Sequence, residues 1–154
     1  MSWKTERADG RDLDLDEVLA VYRDSGLGER RPVDDRGRMA AMVREANLVV
    51  VAREADGTLV GIARSISDFS YVTYLSDIAV VRRHQRSGMG RALIEATCAQ
   101  APDAKLVLLS APAATGYYPR VGFTRHDSAW VLGPGQPPAA PRPGPADDGP
   151  ATRP

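Results

Sequence analysis

Apolar side chains recur along this chain with two different periods, and the changes of period divide it into elements. Leu15, Val18, Leu19 and Tyr22 follow the i, i+3, i+4, i+7 spacing of one helical face, and Asp14 with Glu17 stand where a capping box closes a helix start. A second helix is predicted from Asp35 to Ala46, with Met39, Met42, Val43 and Ala46 on one side. From Asn47 the residues become β-branched and contiguous. Asn47 to Arg53 reads as a strand, Asp56-Gly57 as a hairpin turn and Leu59 to Ile66 as the return strand. Tyr71 to Val81 adds a third strand to this meander, and Arg82 to Ser87 is a polar loop. Helical spacing resumes after Gly88, where Met89, Ala92, Leu93 and Ala96 share a face. Lys105 to Ser110 is predicted as a short buried strand, Ala113 to Tyr118 as a short helix, and Phe123 to Leu132 as a final strand.

The predicted order is helix, helix, three antiparallel strands, helix, strand, helix, strand. Hairpin strands followed by a strand-helix-strand crossover give an α/β or α+β fold. Its central sheet is mixed and mostly antiparallel, with helices on both faces. The last stretch, GPGQPPAAPRPGPADDGPATRP, has no large apolar side chain, and its prolines remove backbone donors. The expectation is one domain over residues 1–132 and a disordered Pro/Gly-rich tail over 133–154.

Composition narrows the classes. With 154 residues, 43% of them hydrophobic, the chain suits a single globular domain. Apolar runs such as Leu48 to Ala52 are far too short to cross a bilayer, and the opening does not resemble a signal peptide, so a cytoplasmic protein is expected. Cys98 is the single cysteine, which excludes an internal disulfide and a zinc cluster; no metal is expected. Lys plus Arg and Asp plus Glu balance at 20 each, so a broad basic surface for nucleic acid is not indicated.

The chemistry concentrates in the stretch from Val80 to Ala92, VVRRHQRSGMGRA. A strand ends, a glycine-containing turn follows and a helix begins, so backbone N–H groups without intrahelical partners point outward at the positive end of the helix dipole. Glycine lets a ligand approach the backbone, and Arg82, Arg83, Arg86 and Arg91 add guanidinium groups suited to phosphate. A pyrophosphate fits such a place. The P-loop signature fails at Arg91-Ala92, and the dinucleotide fingerprint fails at Leu93 and for want of an acidic residue near Ser110. The pattern Gln/Arg-x-x-Gly-x-Gly/Ala is met by Gln85, Gly88 and Gly90. A helix entry that binds nothing remains the alternative at this point.

Two blocks together resemble the GCN5-related N-acetyltransferases, which move acetyl from acetyl-CoA to amines. One is Tyr74-Leu75-Ser76-Asp77-Ile78-Ala79-Val80 running into Gln85-Arg86-Ser87-Gly88-Met89-Gly90, and the other is Gly116-Tyr117-Tyr118-Pro119-Arg120-Val121-Gly122-Phe123. The resemblance implies the acyl-CoA N-acyltransferase fold and acetyl-CoA as co-substrate. It implies that Ile78, Ala79 and Val80 offer backbone groups to the pantetheine arm, and that N–H groups from Gln85, Arg86, Ser87, Gly88, Met89, Gly90 and Arg91 surround the pyrophosphate. It places Tyr118 as general acid for the departing thiolate, against the alternative of a ring that only packs. An ordinary phenol, with a pKa of about 10, can donate at neutral pH. Asp77, in an otherwise apolar strand, is either the base or a carboxylate that pairs with an arginine such as Arg64. Tyr117 is expected in the core, His84 and His126 at the surface, and Cys98 quiet on its helix. Many relatives carry an asparagine after the strand that ends here at Ser110, where this chain has Ala111-Pro112.

The acceptor is expected to be a small-molecule amine rather than a protein, met by the N-terminal helices, the segment Ser67 to Tyr74 and the final strand. Asp9, Asp12, Asp14, Asp16 and Glu17 are either an attractive surface for a cation or a solvated cap. A CoA-sensing domain without turnover is the rival of a different class. No nucleic acid and no membrane partner is expected, and a homodimer stays open.

Overall fold

The computed structural model describes residues 2–140 and 144. A five-stranded sheet organises them, in the spatial order β1 (Trp3–Ala8), β2 (Leu48–Glu54), β3 (Leu59–Ser67), β4 (Val72–Val80), β5 (Lys105–Val107). The first four strands pair antiparallel, and β5 runs parallel to β4 after the crossover helix α3 (Met89–Gln100). Between β1 and β2 the chain forms α1 (Leu15–Ser25) and α2 (Arg36–Glu45). This is the mixed, mostly antiparallel sheet expected, with one more strand at its start.

Strand β1 was absent from the predicted order because its residues, WKTERA, carry little apolar signal. It is an edge strand held by its ladder to β2, from Trp3 opposite Glu54 to Ala8 opposite Val49. The central strands read differently. Leu48 to Val51 and Val60 to Ala63 (Gly61 among them) are apolar without alternation because both faces of the sheet are covered. Gly61 faces α3 so closely that a Cβ there would lie 2.9 Å from the Met89 sulfur and 3.2 Å from Leu93. Arg64, an odd number of residues further on, faces the other way, toward Asp77 and the carbonyl of Met42 on α2. Helices therefore lie on both faces, α3 on one and α1 with α2 on the other.

The N-terminal helices start where Asp14 and Asp35 place them. The Asp14 carboxylate accepts from the N–H groups of Asp16 and Glu17, and Asp35 accepts from that of Arg38. Helix α1 buries Val18, Leu19, Val21 and Tyr22.

Beyond β5 the predictions need correction. The strand expected over Lys105 to Ser110 is three residues long and mostly exposed, not buried. It pairs with β4 only through Val72, Thr73 and Tyr74, after which the two strands part. The short helix expected over Ala113 to Tyr118 is two separate 3-10 turns, Pro112–Ala114 and Tyr118–Val121, each with a proline in its first positions. No strand forms from Phe123 to Leu132; Trp130 is 92% exposed, and Val131 and Leu132 are exposed with it. A strand exists only through pairing, and the turn at Asp127-Ser128 breaks the apolar pattern there. Residues 133–140 form neither helix nor strand, and most of the expected tail, 141–143 and 145–154, lies outside the described residues.

Candidate active site

Strand β4 carries the first half of the site. Its inner edge is satisfied by β3, with Gly61 opposite Val80, Ile62 opposite Ala79 and Ala63 opposite Ile78. Its outer edge is paired only as far as Tyr74. Past that point Ile78, Ala79 and Val80 lie on a strand with no neighbour on one side among the described residues, an edge to which an extended ligand could add as a strand would. A bulge at Arg64/Ser65 falls in the same place. Arg64 stands opposite Asp77 and Ser65 opposite Leu75, which leaves Ser76 as the extra residue.

From Val80 the chain turns into the loop that sequence reasoning singled out. Arg86 (φ 61°) and Gly88 (φ 87°) adopt the left-handed backbone, and Gly88 caps α3 with no side-chain hydrogen bond to the first turn. The leading N–H groups of α3 are thus left for a ligand. Gly90 sits under Tyr117: a Cβ at 90 would lie 3.1 Å from the Tyr117 hydroxyl. Tyr117 is accordingly half-buried against the helix start, between core and surface.

The side chains of the loop are mostly occupied in shaping it. Gln85 donates to the carbonyls of Ser25 and Val80, tying the loop to the end of α1. Ser87 donates to the carbonyl of His84, and the N–H of Arg82 donates to Asp24 at 2.7 Å. Arg83 pairs with Glu54 at 2.9 Å and Arg91 with Glu95 at 2.7 Å. Two of the four arginines expected beside a phosphate are therefore already engaged. Met89 is fully buried, so only its backbone is available.

Tyr118 opens the 3-10 turn Tyr118–Val121, next to Tyr117. Its ring meets Tyr117 and Phe123 edge-on, at centroid distances of 5.3 and 5.4 Å. Partial burial, and then the neighbouring Tyr117, push its phenol above the ordinary value, so it keeps its proton at neutral pH.

Asp77 takes the other of its two readings. It is 1% exposed, and three donors converge on it: Arg31 Nε at 2.5 Å, Arg64 Nε at 2.6 Å and the Tyr22 hydroxyl at 2.7 Å. Burial pushes its carboxyl up, but Arg64, the Tyr22 hydroxyl and Arg31 outweigh it and hold the pKa below the usual carboxylate range. A carboxylate so held is a weak acceptor for a substrate proton, which argues against Asp77 as the base. Tyr22 moves the opposite way, far up, because it is buried beside the negative Asp77. The pairing with Arg64 was one of the alternatives read from sequence. Arg31 and Tyr22 were missed: Arg31 lies in an irregular segment, and Tyr22 reads as core on an apolar helix face.

His84 corrects another expectation. It is 4% exposed, not a surface residue, and its Nε2 meets Glu54 at 2.5 Å. Its polar sequence neighbours hid a partner thirty residues away. His126 is exposed, as expected. Cys98 is an exposed residue whose thiol is pushed up by partial burial and by Glu95, which disfavours the reactive thiolate. The acidic group near α1 is spent locally: Asp14 caps the helix, Asp9 pairs with Arg11, Asp16 with Arg36 and Glu17 with Arg53. Among the described residues no group of three or more His, Cys, Asp or Glu could hold a metal, and no helix is long and apolar enough to cross a membrane.

This geometry has a known counterpart. The sequence profile of the acetyltransferase (GNAT) domain matches residues 18–131. The chain belongs to the GNAT acetyltransferase family. No curated protein matches it in sequence. Solved GNAT structures share the fold at low identity. A GNAT-family acetyltransferase from Streptococcus pneumoniae TIGR4 superposes with a TM-score of 0.67 at 18% identity, covering 85% of this chain and 98% of its own. A GNAT-family protein from Xanthomonas campestris pv. campestris gives 0.62 at 25%, covering 82% and 87%. An aminoglycoside acetyltransferase from an uncultured soil metagenomic sample, solved with sisomicin, gives 0.60 at 20%, covering 84% and 93%. The GNAT match spans both halves of the site, the β4–α3 junction and the Tyr117-Tyr118 turn.

Proposed function

We propose that this GNAT domain transfers the acetyl group of acetyl-CoA to a primary amine by direct attack in a ternary complex. One observation carries the reading: the start of α3, where Gly88 supplies no side-chain cap, lies one 3-10 turn and a short loop beyond the length of β4 whose outer edge is unpaired among the described residues. Both are needed by a ligand that has a pyrophosphate and an extended amide-bearing arm. Backbone groups of Ile78, Ala79 and Val80 would hold the arm, and N–H groups from Gln85 to Arg91 the pyrophosphate. Acetyl-CoA supplies the activated thioester carbonyl, and this chain supplies position and protons. Tyr118, kept protonated by its surroundings, is the general acid for the leaving sulfur. With Asp77 tied to Arg31, Arg64 and Tyr22, the amine gives its proton to solvent or arrives neutral.

The acceptor is proposed to be a small-molecule amine. The similarity to an aminoglycoside acetyltransferase makes aminoglycosides one class in the amine panel. Calorimetric titration with acetyl-CoA, followed by thiol release across that panel, tests the reading. Saturable one-to-one binding with release for at least one amine supports it. A folded sample that does not bind acetyl-CoA sinks it, and binding without release for any amine replaces it with a CoA-sensing domain. The rate should rise with pH along the titration of the chosen amine.

A further inference from the structure

Among the described residues, the histidine that is buried where a surface residue was expected has one side-chain partner, and that partner ends a strand of the sheet. His84 ends the 3-10 turn Arg82–His84, one residue before the Gln85 to Arg91 loop. Its ring is 5% exposed and reaches Glu54, the last residue of β2, whose side chain is 14% exposed. Glu54 is itself fixed by the β2–β3 hairpin, its N–H donating to Thr58 and its carbonyl accepting from Gly57. It also accepts from Arg83, at 3.3 Å from Nε and 2.9 Å from Nη2. On its other side His84 is joined to the loop, because its carbonyl accepts the Ser87 hydroxyl. An unbroken chain of contacts therefore runs from the hairpin through Glu54 and His84 to Ser87, which directly precedes the cap of α3.

What this chain of contacts spans is the costly part of the loop. Arg86 is a non-glycine residue in the left-handed region, a conformation that persists only when its surroundings impose it. Hydrogen-bonded polar groups at a buried position are also a poor way to gain stability, since replacing both partners by apolar side chains of the same shape can be nearly neutral or stabilising. A phenylalanine would fill the place of His84 without needing Glu54.

We infer that Glu54 and His84 are a positioning pair for the loop, holding the N–H groups of Ser87 to Gly90 in the arrangement that receives a pyrophosphate. The pair touches no reacting atom; its effect is on affinity for the co-substrate. The inference rests on the reading that this loop holds acetyl-CoA. Preorganisation of this kind acts by removing an ordering cost from binding.

The experiment uses the full chain with His84→Phe, His84→Gln and Glu54→Gln, and with His126→Gln as an exposed control. Four readouts are taken: amide hydrogen exchange of residues 85–90, the dissociation constant for CoA by calorimetry, kcat at saturating acetyl-CoA, and thermal midpoint. His84→Phe is expected to speed loop exchange about tenfold while the strands keep their protection. CoA affinity should weaken about threefold to tenfold, the range of one net hydrogen bond, with kcat at saturating acetyl-CoA unchanged. His84→Gln, which keeps a donor for Glu54, should recover part of both effects. Unchanged exchange and affinity in His84→Phe would overturn the inference. So would a loss of affinity that follows a general loss of exchange protection throughout the sheet, which marks a structural residue only. If the parent protein binds no CoA, the acetyltransferase reading falls by itself, and the exchange arm still decides whether the pair orders the loop.

Discussion

Asp77 and Tyr118 were the two side chains singled out for proton transfer, and the molecule treats them in opposite ways. Asp77 stands in the middle of the sheet under helices, at 1% exposure, with Arg31, Arg64 and Tyr22 around it. Tyr118 stands in a four-residue 3-10 turn beyond the last strand, held by ring contacts with Tyr117 and Phe123. The first is part of what keeps the sheet and α1 together; the second keeps its proton and is proposed as the donor to the leaving sulfur. A polar residue in an apolar strand announces a purpose, but that purpose can be architectural. Burial decides what an ionised group can still do: each donor that stabilises the carboxylate also removes its capacity as a base.

Breaking Asp77 should give the largest effect on stability. Asp77→Asn leaves two guanidinium groups, Arg64 among them buried, without their counter-charge, and removal of one partner of a buried pair costs about 3–5 kcal/mol. Urea unfolding checks this, and a loss under about 1 kcal/mol would mean that the cluster is not tightly coupled. Next comes Tyr118→Phe, which should lower kcat about 100-fold for an acid-base contribution while leaving the thermal midpoint and CoA affinity near the parent values. If kcat holds and only affinity falls, Tyr118 packs and does not donate.

The pH dependence sharpens the contrast. The folded-state pKa of Asp77 is depressed, so its stabilisation is complete above the ordinary carboxylate range, near 4, and is lost as pH falls through that range and below. Thermal melts of the parent from pH 6 downward should therefore show falling stability, and Asp77→Asn should flatten that slope. The smallest effect is expected at Trp130, at the far end of the chain beyond β5. Trp130→Ala, at a side chain 92% exposed, should change unfolding free energy by no more than about 0.5 kcal/mol. A larger change would show that the segment after Phe123 packs onto the domain in solution.

Local pattern made much of this architecture readable. Helices α1, α2 and α3, and strands β2, β3 and β4, all lie where spacing of apolar residues put them, and the carboxylate of Asp14 caps α1 where expected. Each of these elements buries a face or a whole width against something else, so its periodicity is strong. Strand β1 escaped because an edge strand depends on backbone pairing, which leaves little trace in side-chain pattern. The strand expected at Phe123 failed for the converse reason, with apolar residues present and no edge to receive them.

The loop shows the same division on a smaller scale. Gln85, Gly88 and Gly90 are legible because glycine at a strand-to-helix turn has a backbone meaning that needs no tertiary partner. His84 and Arg31 are not, because each acquires its role from a residue far along the chain, Glu54 and Asp77. Sequence by itself determined the succession of elements from α1 to α3 and the glycine-containing turn between β4 and α3, since both follow from short-range sterics and hydrogen bonding. Tertiary structure alone decided which charged groups remain free to react, because that depends on the donors that folding brings within about 3 Å of each of them.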